Sequence, residues 1–215
     1  MATRIKICGI TRVEDGVAAA RCGADAIGLV FWDGTPRVVS VERAREIVRA
    51  MPPFVSIVGL FVDPAREHVE RVLEGVPLHF LQFHGHEPPA LCRSFRRPYL
   101  KAVAVGESGD LLESVSPYDD AAGWLFDAPP LHGRPGGTGR TFEWSRLPAS
   151  LARPLVLSGG LDAGNVASAI RTVRPWAVDV SSGVEASDAD GRPLAGIKDA
   201  AKIAAFVEEV RHADV

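Results

Sequence analysis

Apolar positions along the chain gather into short, predominantly apolar runs at residues 5–8, 26–31, 55–62, 78–83, 99–105, 124–126, 154–157 and 177–180. Runs of this length that lack strict alternation with polar residues predict strands buried on both faces, as in a parallel sheet. Between most of them the period changes. Val69, Val72, Leu73 and Val76 recur at helical spacing, as do Val166, Ala169, Ile170 and Val173, and Ile203, Phe206, Val207 and Val210. These stripes are predicted to pack on the sheet. Three helix starts carry local signals. Thr11 and Glu14 have capping-box spacing and predict a helix from Val13. Asp63 before Pro64 predicts an N-cap followed by proline at the first helical position, and Asp162 predicts the cap of a helix from about Ala163.

Eight strands alternating with helices across 215 residues predict a (β/α)8 TIM barrel near the lower size limit of that fold. The rival is an open doubly wound sheet. Its first turn would carry GxGxxG if it bound a dinucleotide, whereas the turn after the first strand reads CGITRVED. No linker-like or low-complexity block interrupts residues 1–215, so a single domain is expected.

Composition narrows the functional classes. A formal charge of −3 provides no electrostatic reason to expect nucleic acid or an anionic membrane as partner. The three cysteines, Cys8, Cys22 and Cys92, are odd in number and widely spaced, so neither a disulfide framework nor a cysteine zinc site is indicated. A reducing cytoplasm is the expected location, and no segment has the long unbroken apolar run of a membrane span.

In a parallel barrel the carboxyl ends of all strands open on one mouth, and the polar residues there form one constellation. Cys8 ends the first strand, Arg37 follows the second, Gln82 and His84 close the fourth, Asp127 the sixth, and Asp179 with Ser181 the eighth. Alternation places Gln82 with His84, and Asp179 with Ser181, on one side of their strands; Lys6 shares parity with Cys8. An inward lysine needs a partner, and Asp179 is the candidate. His84 and His86 form an HxH pair with no third ligand at plausible spacing, so a hydrogen-bonding role is expected rather than a metal site.

Two glycine-rich stretches follow the last two strands: SGGL at 158–161, which contains Gly159 and Gly160, and SSGVE at 181–185, which contains Ser182 and Gly183. Loops seven and eight are where barrels commonly bind phosphate, and Ser182 with Glu185 has capping-box spacing for a short extra helix. After Asp127 the chain runs through a long segment to GGTG, Gly136, Gly137, Thr138 and Gly139, a glycine hinge suited to closing over a ligand.

With these motifs assembled, the chain resembles the phosphoribosylanthranilate isomerases of tryptophan biosynthesis from Arg4 to about Val210. KICGIT at 6–11, GLVF followed by TPR at 35–37, QFHG at 82–85, FDA followed by GGTG, SGGL, and VDVSSGVE at 178–185 occur in the family's order. Small departures are Thr35, Phe83, Ser158 and the FEW that begins at Phe142, where the family more often has serine, leucine, alanine and FDW. The resemblance implies a (β/α)8 barrel that carries out an Amadori rearrangement without cofactor or metal. It would convert N-(5-phosphoribosyl)anthranilate to 1-(2-carboxyphenylamino)-1-deoxyribulose 5-phosphate. By position, Cys8 falls at the family's general base, Asp127 at its general acid and Arg37 at its anchor for the anthranilate carboxylate. Gly159, Gly160, Ser182 and Gly183 fall in its phosphate loops. Gln82, His84 and Asp179 are expected to contact substrate, and the partner is a small molecule bound by a monomer or homodimer.

The chemistry sets requirements of its own. Ring opening needs a proton on the ring oxygen, after which a base removes the proton on sugar carbon two, so Asp127 must hold a proton and Cys8 must act as thiolate. Nearby positive charge or helix-terminal N–H groups are expected to lower the Cys8 pKa. Two alternatives compete: a Schiff-base phosphosugar lyase using Lys101 on the fifth strand, and a phosphosugar-binding module without catalysis.

Overall fold

The chain's structure, a computed structural model, describes residues 2–106, 109–129, 139, 141–148 and 150–214. Eight parallel strands, β1 (Arg4–Cys8), β2 (Ala26–Val30), β3 (Ser56–Phe61), β4 (Phe80–Phe83), β5 (Tyr99–Ala104), β6 (Gly123–Asp127), β7 (Leu155–Leu157) and β8 (Ala177–Val180), pair in sequence order, and β8 closes back on β1. All eight fall on the predicted apolar runs. The reason they lack polar alternation is visible in the packing. One face of each strand meets the helices through a large cluster that includes Ile5, Ile7, Ile27, Leu81, Phe83 and Phe126. The other face fills the barrel interior with Ala102, Leu125, Val156 and Ala177. Burial on both faces leaves no solvent side for polar residues to occupy.

The helices are α1 (Val13–Cys22), α2 (Val41–Arg49), α3 (Arg66–Gly75), α4 (Pro89–Ser94), α5 (Leu111–Val115), α6 (Val166–Val173) and α7 (Ala200–Ala213). Their buried faces match the stripes read from sequence, with Val69 and Val72, then Val166, Ala169 and Ile170, then Ile203, Phe206, Val207 and Val210 turned inward. Between β6 and β7 the described element is a single 3-10 turn, Trp144–Arg146, in place of a helix.

The predicted caps fare differently. α1 does begin at Val13, but Thr11 does not cap it; its hydroxyl donates to the Gly196 carbonyl at 2.5 Å. Asp63 does not cap α3, which starts at Arg66 after Ala65. Its carboxylate instead accepts the backbone N–H of His86, tying the loop after β3 to the loop after β4. Asp162 accepts from the N–H groups of Gly164 and Asn165, closing a turn ahead of α6, which begins three residues later than predicted. Beyond the barrel, β9 (Glu185–Ser187) and β10 (Pro193–Lys198) form a two-stranded antiparallel hairpin between β8 and α7. The apolar pattern did not predict it. No helix among the described residues is long and apolar enough to cross a membrane.

Candidate active site

At the carboxyl ends of the strands lies a small pocket of about 60 Å³. Its wall gathers the predicted constellation: Cys8 from β1, Arg37 from the loop after β2, Gln82 and His84 from the end of β4, Asp127 from β6, Asp179 from β8 and Ser181 just beyond it. Both parity pairs therefore do face one space. Val30, Trp32, Leu60 and Val62 supply an apolar wall beside Cys8, which the sequence reading did not assign. Thr35 and Ser158, two of the departures from the family pattern, also line it.

Cys8 sits opposite Gly28 in the β1–β2 register. A Cβ on Gly28 would lie 2.7 Å from the thiol sulfur, so this glycine makes room for that atom. One residue pair below, Lys6 is in register with Asp179, and its ammonium donates to the Asp179 carboxylate at 2.9 Å, both side chains being about one-twentieth exposed. Burial pushes the Lys6 pKa down, but the negative charges of Asp179 and of ionised Cys8 outweigh it, and the net direction is up. For Cys8 the balance differs from expectation. Lys6 is a nearby cation and does favour the thiolate, yet burial is the larger effect and Asp179 adds to it, so the thiol is raised above its ordinary value, against the expected lowering.

Asp127 is nearly buried. One oxygen accepts from the backbone N–H of Ala128 at 2.7 Å, and the other lies 3.3 Å from Nε2 of His84. A Cβ on Gly159 would come within 2.6 Å of the Ala128 nitrogen and 3.1 Å of Asp127 Oδ1, so Gly159 admits the Asp127 carboxyl group and its turn. Gln82 is fully buried, and neither amide atom has a hydrogen-bond partner in the described protein. A buried primary amide without partners is costly, which marks it as aimed at a ligand.

Arg37 is placed by two features. Its stem crosses Gly9, whose φ of 75° favours glycine and whose added Cβ would lie 2.7 Å from Arg37 Cδ. Its guanidinium meets Glu185 through Nε at 2.7 Å and Nη2 at 2.9 Å. Glu185 thus caps no helix, contrary to the capping-box reading; the one-turn 3-10 helix Ser182–Val184 forms without a side-chain cap. Buried Lys198 joins the group, donating to Glu185 at 3.2 Å and to the Ser181 carbonyl at 2.9 Å. Sequence reasoning assigned Glu185 a different job and did not single out Lys198. No sequence signal set Lys198 apart, since the strand that carries it, PLAGIK, is largely exposed before it.

The loops after β7 and β8 touch. A Cβ on Gly183 would overlap the Leu161 carbonyl oxygen, and Gly159 and Gly160 both have left-handed φ. Ser182 and Gly183 are partly exposed beside them. Of the predicted hinge, Gly136, Gly137 and Thr138 lie outside the described residues, and Gly139 is exposed with φ 70°. His86 is fully exposed and faces Asp63, away from the pocket that His84 lines, so the HxH pair does not converge. Lys101 does not line the pocket. Its ammonium is held by Glu87 at 2.9 Å and by the carbonyls of Gly85 and Phe83, which leaves the lyase alternative without its nucleophile.

Comparison with known proteins agrees with this geometry. The family model for N-(5'phosphoribosyl)anthranilate (PRA) isomerase matches residues 5–209. The N-(5'-phosphoribosyl)anthranilate isomerase of Pseudomonas paraeruginosa is 58% identical over 210 residues, covering 98% of this chain and 96% of that one. The crystal structure of phosphoribosyl anthranilate isomerase from Thermotoga maritima superposes with a TM-score of 0.84 at 41% identity, over 98% of this chain and 99% of that chain. A structure of such an isomerase in complex with reduced 1-(o-carboxyphenylamino)-1-deoxyribulose 5-phosphate aligns at 39% identity and TM-score 0.80, again over 98% and 99%. A match of this extent in sequence and in fold shows the family: the chain belongs to the N-(5'-phosphoribosyl)anthranilate isomerases.

Proposed function

We propose that Cys8 and Asp127 are the base and the acid of the family's isomerisation in this chain, acting on one aminosugar bound between them. The observation that carries the reading is that a thiol from β1 and a carboxyl group from β6 line a single pocket. Asp127 delivers a proton to the ring oxygen as the C1–O bond breaks and the nitrogen lone pair forms the iminium. Cys8 then removes the proton from carbon two, the electron pair moves to neutralise the iminium, and the enolamine becomes the ketone. The raised pKa of the free thiol suits this order. The thiol releases its proton to solvent before the step, the iminium adds to the positive charge that Lys6 already supplies in favour of the thiolate, and a thiol of high pKa is the stronger base once ionised.

Arg37 anchors the anthranilate carboxylate, Gln82 offers its unpaired amide to the sugar, and His84 steadies Asp127. Asp179 acts chiefly through Lys6 beneath the thiol. Gly159, Gly160, Ser182 and Gly183 receive the phosphate on loops whose close approach the glycines permit. One domain spans the chain, working in the cytoplasm as a monomer or homodimer.

The test follows the loss of phosphoribosylanthranilate fluorescence with purified protein. Cys8→Ser and Asp127→Asn should each lower turnover by about two orders of magnitude or more with substrate binding mostly retained. A variant that turns over at the wild-type rate removes its residue from the mechanism.

A further inference from the structure

The pair formed by Arg37 and Glu185 lies at the rim of the pocket, but the residues that hold Glu185 belong to the β9–β10 hairpin, outside the barrel. The Glu185 side chain is fully buried and both oxygens are engaged: Oε1 accepts from Arg37 Nε at 2.7 Å, Gly196 N–H at 2.8 Å and Lys198 Nζ at 3.2 Å, and Oε2 from Arg37 Nη2 at 2.9 Å. Gly196 and Lys198 are on β10. That strand is tied to the barrel by the Thr11 hydroxyl on the Gly196 carbonyl and by Lys198 N–H on Asp15 at 3.0 Å.

The fork uses one edge of the guanidinium. The outer edge, Nη1 with the second hydrogen of Nη2, takes no partner among the described residues, and Arg37 lines the pocket. Arginine's long side chain carries large rotamer entropy, and a buried fork removes that freedom before a ligand arrives. Lys198 reaches the same carboxylate from behind, away from the pocket, where burial and the Arg37 charge pull its pKa down and Glu185 pulls it up. Stability alone does not explain the cluster, because well-packed apolar residues commonly serve as well as a buried ion pair.

We propose that Glu185, fixed by the β9–β10 hairpin, is a positioning residue that aims the outer edge of Arg37 at the carboxylate of the substrate's aromatic ring. This rests on Arg37 being the carboxylate anchor. Lys198 has a secondary part: its hydrogen bond helps fix the rotamer of Glu185.

The experiment compares two phosphate-bearing product analogues by calorimetric titration of the full chain. One is reduced 1-(2-carboxyphenylamino)-1-deoxyribulose 5-phosphate and the other is the same compound without the ring carboxylate. The readout is the ratio of their dissociation constants, with kcat and KM measured alongside. If Glu185 acted only through its charge, Glu185→Gln would leave more positive charge and tighten carboxylate binding. Positioning predicts the opposite: a loss of the wild-type preference by about 10-fold or more, carried in KM more than in kcat. Glu185→Asp keeps the charge but withdraws the carboxylate by one methylene, so it should lose preference in the same direction, and it decides the matter if Glu185→Gln does not fold. An unchanged or larger preference in a folded variant overturns the inference while leaving Arg37 as anchor. Absence of any preference in the wild type overturns both.

Discussion

Replacing Gln82 with leucine should make the protein more stable and a worse catalyst. The amide is fully buried in the pocket wall with neither nitrogen nor oxygen paired to the described protein. An unsatisfied buried polar group costs about 1–3 kcal/mol, and an apolar side chain of similar size does not carry that cost. Gln82→Leu should therefore gain about 1–3 kcal/mol, which for a chain of this length raises Tm by roughly 2–4 °C per kcal/mol. In the complex the sign reverses. Each hydrogen bond that the amide would give the sugar is worth about 0.5–1.5 kcal/mol, so losing two should lower kcat/KM by roughly 5-fold to 150-fold. Urea unfolding followed by circular dichroism reads the first effect as a higher midpoint at unchanged slope, and the fluorescence assay reads the second. Gln82→Met, unbranched and of similar length, controls for shape. A Gln82→Leu protein that is less stable than wild type and turns over substrate normally would refute the reasoning, since the amide would then belong to the scaffold.

Other consequences follow from the buried charges. Asp179→Asn strands the Lys6 ammonium among apolar neighbours, and breaking such a pair should cost about 3–5 kcal/mol in equilibrium unfolding; a loss below about 1 kcal/mol would contradict the assigned pair. Because burial holds the Cys8 thiol above its ordinary value of 9.0, alkylation of Cys8 by iodoacetamide in the free protein should climb about tenfold per pH unit from pH 7 to 9 without levelling. A plateau below about pH 8, read by mass spectrometry of the Cys8 peptide, would show a lowered thiol instead. The Glu185 carboxyl is the opposite case. Burial alone would raise it, but hydrogen bonds from Arg37 and the charge of Lys198 prevail and hold it below 4.5. Its contribution to stability is then fully present above pH 4.5 and is lost as pH falls through the lower, folded value. The stability gap between wild type and Glu185→Gln should narrow on acidification below pH 4.5, and a gap that stays constant there would argue against a depressed carboxyl.

The residues that sequence placed correctly and those it misread differ in one physical respect. Strand parity is local geometry: once residues 4–8 and 177–180 are strands, Lys6 and Asp179 must enter the interior at their register, whatever the rest of the chain does. Apolar runs are legible for the same reason, because burial on two faces acts on every position of the strand. Capping motifs are not. Thr11 and Asp63 stand where their side chains could accept from a backbone N–H a few residues on, and Glu185 where it could accept from the N–H of Ser182, yet each turns instead to a partner far along the chain: the Gly196 carbonyl, the His86 N–H and the Arg37 guanidinium. At a barrel mouth the loops crowd together, so nonlocal donors and acceptors compete with the helix ends. For Glu185 the competition is one-sided, since a charged, two-pronged guanidinium outbids a single neutral N–H for a buried carboxylate. Nothing in spacing announces that contest. It becomes visible only when the β9–β10 hairpin, whose short strands carry little periodic signal, folds back and brings Gly196 and Lys198 to the same carboxylate. A polar motif at a predicted strand end in such a fold is therefore better read first as a tie between loops, and as a helix cap only when no charged partner can reach it.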